Sequence, residues 1–179
     1  MERKRKRERI AKFHKVSFEQ YLKDWRKVFK DGSREDVREI YEGISLPKRA
    51  TKGSAGYDFY MPVSMDVQPG ETVMIPTGIC AEMDPAYVLL CFPRSGLGFK
   101  FRLQLNNTVG VIDSDYYGTE NEGHIFARMT NDTNEDRTAR LEAHTGFMQG
   151  VFVPFGITTD DDATETRVGG LGSTTKKNI

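Results

Sequence analysis

A chain of 179 residues holds one ordinary domain with an appendage and is too short for two large ones, since single cores usually take about 100 to 200 residues. Its 26 Lys and Arg balance its 26 Asp and Glu, so no net field draws the whole molecule onto nucleic acid or an anionic membrane, and any bound anion must meet a local cluster. No apolar run approaches the roughly 18 to 20 residues that span a bilayer, and no apolar segment follows the charged opening Met1 to Arg9, which reads as a soluble, unexported, cytoplasmic protein.

Two regimes follow in chain order. From Ser17 to Lys30, Phe18, Tyr21, Leu22, Trp25, Val28 and Phe29 recur at three- and four-residue intervals, which predicts an amphipathic helix. Ser17 with Gln20 three residues on reads as its capping box. A shorter helix is predicted from Ser33 to Glu42, with Val37, Ile40 and Tyr41 inward and Gly43 as its stop. Residues 1–45 therefore read as a helical appendage. Its basic opening, Arg3 to Arg9, suits a solvated helix end or a frayed terminus better than a nucleic-acid contact. The stripe holding Trp25 and Phe29 must be buried, against a sheet edge or a neighbouring subunit.

From Leu46 the period changes to short runs rich in Val, Ile, Phe and Tyr, separated by turn clusters such as Gln68-Pro69-Gly70, Asp84-Pro85 and Asp113-Ser114-Asp115. Strands are predicted at 71–76, 87–92, 107–112, 124–130 and 149–155. The last is apolar on both faces and belongs inside a sandwich or barrel spanning 46–165. Cys80 and Cys91 are too few for a disulfide framework and lack zinc spacing; a hairpin turned at Asp84-Pro85-Ala86 would bring them side by side as reduced thiols. Residues 166–179 form a Gly-rich tail.

Three constellations carry chemistry. Arg167 to Lys177 combines glycines, hydroxyls and cations, donors suited to phosphate, although alone it reads as a loose terminus. Pro93-Arg94-Ser95-Gly96-Leu97-Gly98 offers a guanidinium, a hydroxyl and backbone N–H groups after a buried strand, or simply a turn. Asp113-Ser114-Asp115-Tyr116 sets a carboxylate able to act as a general base beside an aromatic face, or a solvated turn.

In order along the chain these pieces resemble the five motifs of the trimeric dUTPase family: Ala55-Gly56-Tyr57-Asp58-Phe59, Pro93 to Leu97, Gly110 to Tyr116, Phe147-Met148-Gln149, and Arg167 with Gly169 to Thr174. The resemblance covers about Leu46 to Thr175. It implies an all-β, jelly-roll-like barrel assembled as a homotrimer with active sites shared between subunits, and hydrolysis of dUTP to dUMP and diphosphate, which lowers dUTP and supplies dUMP for thymidylate synthesis. Mg2+ would be held mainly by phosphate oxygens and water, with Asp58 as an outer-shell contact.

By the same resemblance Asp113 is the general base. Arg94, Ser95, Gly96 and Gln149 hold phosphates from one subunit, and Arg167, Ser173 and Thr174 close over them from another. Asn107, Gly110, Val111 and Ile112 read the uracil, Tyr116 walls the deoxyribose against a 2′-hydroxyl, and Leu171 stands where the family usually has a stacking phenylalanine. Thr119 to Glu122 look inserted after the hairpin motif. A dCTP deaminase of the same fold and a non-catalytic nucleotide-binding module are the alternatives; no nucleic-acid polymer or membrane partner is expected.

Overall fold

The computed structural model describes residues 7–169. In chain order it holds β1 (Ala11–Lys15), α1 (Phe18–Phe29), α2 (Arg34–Gly43), β2 (Tyr57–Tyr60), β3 (Met65–Val67), β4 (Thr72–Pro76), β5 (Ile79–Met83), β6 (Tyr87–Pro93), α3 (Ser95–Phe101), β7 (Leu103–Leu105), β8 (Gly110–Ile112), a 3-10 turn (Ser114–Tyr116), β9 (Phe126–Asn131), β10 (Ala139–Leu141) and β11 (Gly146–Pro154). Every strand pair is antiparallel. Four small sheets, ordered β2-β11-β6-β8, β4-β9-β7, β1-β5 and β3-β10, wrap a core that includes Phe59, Ile75, Leu89, Leu103, Met129 and Phe147. Among the described residues no helix is long and apolar enough to cross a membrane.

β11 is the longest strand, and it pairs with β2 on one side and β6 on the other. Gly150 makes this possible: a Cβ there would come 2.8 Å from Leu89 and 3.0 Å from Phe59, so only a bare backbone lets the flanking side chains close over it. At the barrel's other side the buried Asn131 amide donates to the carbonyls of Val67 and Arg137 at 2.8 and 3.0 Å, tying β9 to the strand β3 of a separate sheet.

The N-terminal region is stitched into this barrel. β1, which the charge-rich opening did not signal, pairs with β5. Its Phe13 lies 5.4–5.6 Å from the rings of Tyr57, Phe59 and Phe152, a cluster worth more than its buried area alone. α1 starts where Ser17 Oγ accepts the Gln20 N–H and ends at Lys30 in the left-handed region. The reciprocal half of the expected capping box is absent. Ser17 N–H donates to the Glu122 carboxylate at 2.6 Å, and the Gln20 amide donates to Asp24 at 2.6 Å; an ionised acceptor outbids a neutral one. α2 has the full box, with Ser33 and Asp36. Gly43 is the last helical residue rather than a stop beyond the helix, and Ile44 caps it in extended conformation.

Two expectations are corrected here. The predicted strand 107–112 is a strand only from Gly110, because Asn106 and Asn107 form a turn in which Thr108 adopts a φ of 65°. Asp84 does make the predicted turn, accepting the Ala86 and Tyr87 N–H groups. It does not make a hairpin, however, since β5 and β6 belong to different sheets and Cys80 and Cys91 are not cross-strand neighbours.

Burial pushes the Cys80 thiol up to about 11 and the Cys91 thiol up to about 12, so almost no thiolate exists at neutral pH. Both thiols should react with a colorimetric disulfide reagent at pH 7.5 only as fast as the protein unfolds; prompt labelling of either in the native state contradicts this burial. Gly78 supplies a second test. It has a φ of +72°, and a Cβ there would lie 2.4 Å from Ile44 and 3.3 Å from Tyr21. Gly78→Ala should cost at least about 1 to 3 kcal/mol in urea unfolding, from overpacking and left-handed strain together.

Candidate active site

Two polar clusters form at opposite ends of β6. The first gathers at its C-terminal end. Arg94 leads from β6 into α3, donating its N–H to Phe147 O at 3.1 Å and accepting the Leu97 and Gly98 N–H groups. Its side chain turns back, with Nη1 3.4 Å from Gly146 O and Nε 3.4 Å from Asp58 Oδ1. Gly146 is what admits it: a Cβ there would sit 2.8 Å from Nη1. Gln149 on β11 stands level with Asp58 on β2 and Phe92 on β6. Gly56 leaves room for its amide, since a Cβ would fall 2.6 Å from Gln149 Oε1. With Ser95 they line a cavity of about 460 Å³; Ser95 and Gly96 are exposed at the first turn of α3.

The second cluster gathers where β8 ends. β8 is the edge strand of its sheet, with Asn107 exposed in the turn before it and Val111 turned outward. Gly110 lies against Cys91, where a Cβ would come 3.1 Å from the Cys91 Cβ. Asp113 follows Ile112, and its carbonyl accepts the Tyr116 N–H at 3.2 Å, closing the 3-10 turn. Tyr116 is buried. Arg167 comes back from the far end of the chain to this turn. Its Nη2 donates to Asp113 Oδ2 at 2.5 Å, its Nε is 3.1 Å from Asp115 Oδ1, and its guanidinium carbon is 5.7 Å from the Tyr116 ring centroid.

Of the residues singled out by sequence, the structure therefore unites Asp58, Arg94, Ser95 and Gln149 in one cluster and Asp113, Tyr116 and Arg167 in another. It does not unite the two. Ile112 is level with Leu89, so Asp113 falls level with Val88, and Arg94 lies six residues further along β6. At about 3.3 Å per residue that is roughly 20 Å. Ser173, Thr174 and Leu171 lie outside the described residues. Sequence reasoning missed Asp115 as a partner of Arg167. It also missed Gly146, whose signal was available, since an isolated glycine at a strand end marks close backbone approach.

Among the described residues no three His, Cys, Asp or Glu side chains gather as a metal cage, and Asp58 is already shared with Arg94.

Fold and clusters define the class: an all-β antiparallel barrel with polar clusters toward the opposite ends of one strand. The family model for dUTPase matches residues 42–175. A deoxyuridine 5′-triphosphate nucleotidohydrolase of Lactococcus lactis is 44% identical over 135 residues, covering 74% of this chain and 89% of that protein. The crystal structure of a dUTPase from Streptococcus mutans is 38% identical with a TM-score of 0.60, covering 82% of this chain and 97% of that one. A mutant dUTPase from phage phi11 of Staphylococcus aureus, whose structure details the coordination of a structural Mg(II) ion, shares the fold at 22% identity and a TM-score of 0.56, over 69% of this chain and 92% of that one. The chain belongs to the dUTPase family. β1, α1 and most of α2 precede the matched residues.

Proposed function

We propose that the chain is a dUTP diphosphatase that hydrolyses dUTP to dUMP and diphosphate, working as a homotrimer whose active sites are completed across subunit contacts. Family membership supports the reaction, and the family match does not favour the deaminase. The observation that carries the assembly is the roughly 20 Å between Arg94 and Asp113 along β6. A triphosphate cannot touch both within one chain while its base sits in the hairpin. Each chain therefore offers one half-site to each of two neighbours, as a closed ring of heterologous contacts requires.

In this reading Asn107 and the backbone of Gly110, Val111 and Ile112 hold the uracil edge, on an edge strand whose outer hydrogen-bonding groups are free to read it. Tyr116 walls the sugar. Arg94, Ser95, Gly96 and Gln149 of the adjacent subunit hold the phosphate chain, with Arg167, Ser173, Thr174 and Leu171 closing over the nucleotide. Asp113 takes a proton from the water that attacks the α-phosphorus; the P–O bond to the diphosphate breaks, and diphosphate leaves with the electron pair. Most of the acceleration comes from positioning and charge neutralisation.

Arg167 gives this scheme a resting state. In the free chain it contacts both Asp113 and Asp115, so the base is occupied. An arriving phosphate offers the guanidinium a more highly charged, bidentate partner, and the transfer of Arg167 frees the carboxylate. The donor set fits a magnesium ion held by phosphate oxygens and water, with Asp58 as an outer-shell contact, because this cation dehydrates reluctantly and rarely takes an all-protein cage. When bound it would neutralise phosphate charge and orient the chain.

Two outcomes test the proposal. Asp113→Asn should bind dUTP while turnover drops at least about a hundredfold, the worth of a general base; an unchanged rate removes the mechanism. Equal mixing of inactive Arg94→Ala and Asp113→Asn chains, with subunit exchange, should restore about a quarter of wild-type activity, since a site needs an intact carboxylate from one chain and an intact arginine from its neighbour. No recovery, with exchange shown by mass, would mean that sites are not shared.

A further inference from the structure

α1 reaches the loop behind the hairpin through two separate sets of hydrogen bonds. The first runs through His124, which is fully buried. Its Nε2 accepts the Gly78 N–H at 2.8 Å, so the proton is on Nδ1, which donates to Asp24 Oδ2 of α1 at 2.8 Å. Asp24 is also held by Gln20 at 2.6 Å and Lys27 at 3.1 Å. The carbonyl of His124 accepts the Tyr116 hydroxyl at 2.8 Å, and the same hydroxyl accepts the Asn121 amide at 2.8 Å. Both ends of Tyr116 are thus fixed: its backbone by the 3-10 turn, its ring by a residue that α1 clamps.

The second set begins at the N-terminus of α1. The N–H and O–H of Ser17 both donate to the Glu122 carboxylate, each at 2.6 Å. Glu122 has a φ of 58° and Gly123 one of 69°. A left-handed non-glycine residue persists only when its surroundings hold it there, and Ser17 supplies the hold. A Cβ on Gly123 would lie 2.7 Å from Tyr116 O and 2.9 Å from Tyr117 Cα, so this bent segment bears on the backbone that carries Tyr116. Asn121 and Glu120 of the loop also border an open cavity of about 960 Å³, lined further by Phe126 and Lys27.

We propose that α1 is a positioning element for nucleotide selection: Asp24, acting through His124, and Ser17, acting through Glu122, immobilise Tyr116 and so set how strictly a 2′-hydroxyl is refused. This rests on the reading of Tyr116 as the sugar wall. A wall rejects an added hydroxyl only as far as it cannot yield, because apolar contact alone discriminates weakly against one. α1 lies ahead of the residues matched by the family model, whereas Tyr116, Glu122 and His124 lie within them. Burial opposes the charge on Asp24, but hydrogen bonds from His124, Gln20 and Lys27 outweigh it and hold the carboxyl below its ordinary value, consistent with an ionised anchor.

The test compares kcat/KM for dUTP and UTP in the full-length chain. Glu122→Gly is the decisive variant, because glycine tolerates the backbone angle and so removes the latch without adding strain. It should stay folded, with a modestly lower Tm from the two lost hydrogen bonds, and keep the dUTP kcat while the dUTP-to-UTP ratio falls at least about tenfold, through easier use of UTP. Asp24→Ala should lower the ratio likewise, but with a fall in Tm because His124 loses its buried acceptor, and Asp24→Asn, which still offers an oxygen to His124, should retain most of the selectivity. Should Asp24→Ala fail to fold, Glu122→Gly decides. Tyr116→Ala is the reference. If it loses selectivity while Glu122→Gly and Asp24→Ala keep theirs, the proposal is overturned alone. If Tyr116→Ala itself keeps the wild-type ratio, the reading of Tyr116 falls and the proposal with it.

Discussion

A strand is a ruler, and β6 measures out this molecule. Its seven residues carry the arginine cluster at one end and stand against the carboxylate hairpin at the other, and no side-chain movement closes a gap of that length. The pairing that imposes the distance is also the pairing that gives each half-site its order. β11 holds Gln149 level with Asp58 through the same ladder that buries Gly150, and β8 is aligned on β6 by three consecutive pairs. Rigidity within one chain and separation of the two clusters are thus one property. In the proposed trimer, accuracy comes from the strands and completion from the neighbour.

The helical extension serves the hairpin end of that arrangement. Its apolar side chains, Tyr21, Leu22 and Trp25, are buried and supply most of the affinity of α1 for the barrel, by the usual gain from removing apolar area from water. Asp24 and His124 are a different kind of contact. A buried ionisable pair adds little net stability over an apolar pair of similar shape, while loss of either partner leaves a stranded polar group. Such a pair defines where the helix sits more than how tightly. The family motifs could not supply that register, because the pair joins the extension to the barrel across a hundred residues of chain.

The sequence made some of this legible and hid the rest for identifiable reasons. α1 and α2 were readable from their periods and caps, as were β6, β9 and β11 from long β-branched and aromatic runs. β3, β7 and β10 have three residues each, too few to display a period of two. α3 holds two glycines in seven residues, a composition that argues against a helix; it forms because the Arg94 carbonyl accepts two N–H groups and Phe101 is buried at its end. For the site, order along the chain identified the motifs, but not how they divide between the ends of β6, because that depends on strand register. Asp113 and Arg167 are 54 residues apart, and only the fold brings them together.

That last contact links electrostatics to timing in the proposed reaction. The Asp113 carboxylate lies near the edge of the barrel and is about half exposed, so solvent reaches it before a substrate does. Engagement by Arg167 occupies Asp113 Oδ2, so an attacking water is not held at that oxygen until the guanidinium moves. The substrate's own phosphates are the natural competitor for the guanidinium, so the group that must be attacked is also the group that unmasks the base. Asp115 shares the same guanidinium, so withdrawal of Arg167 takes this cation from two hairpin carboxylates at once.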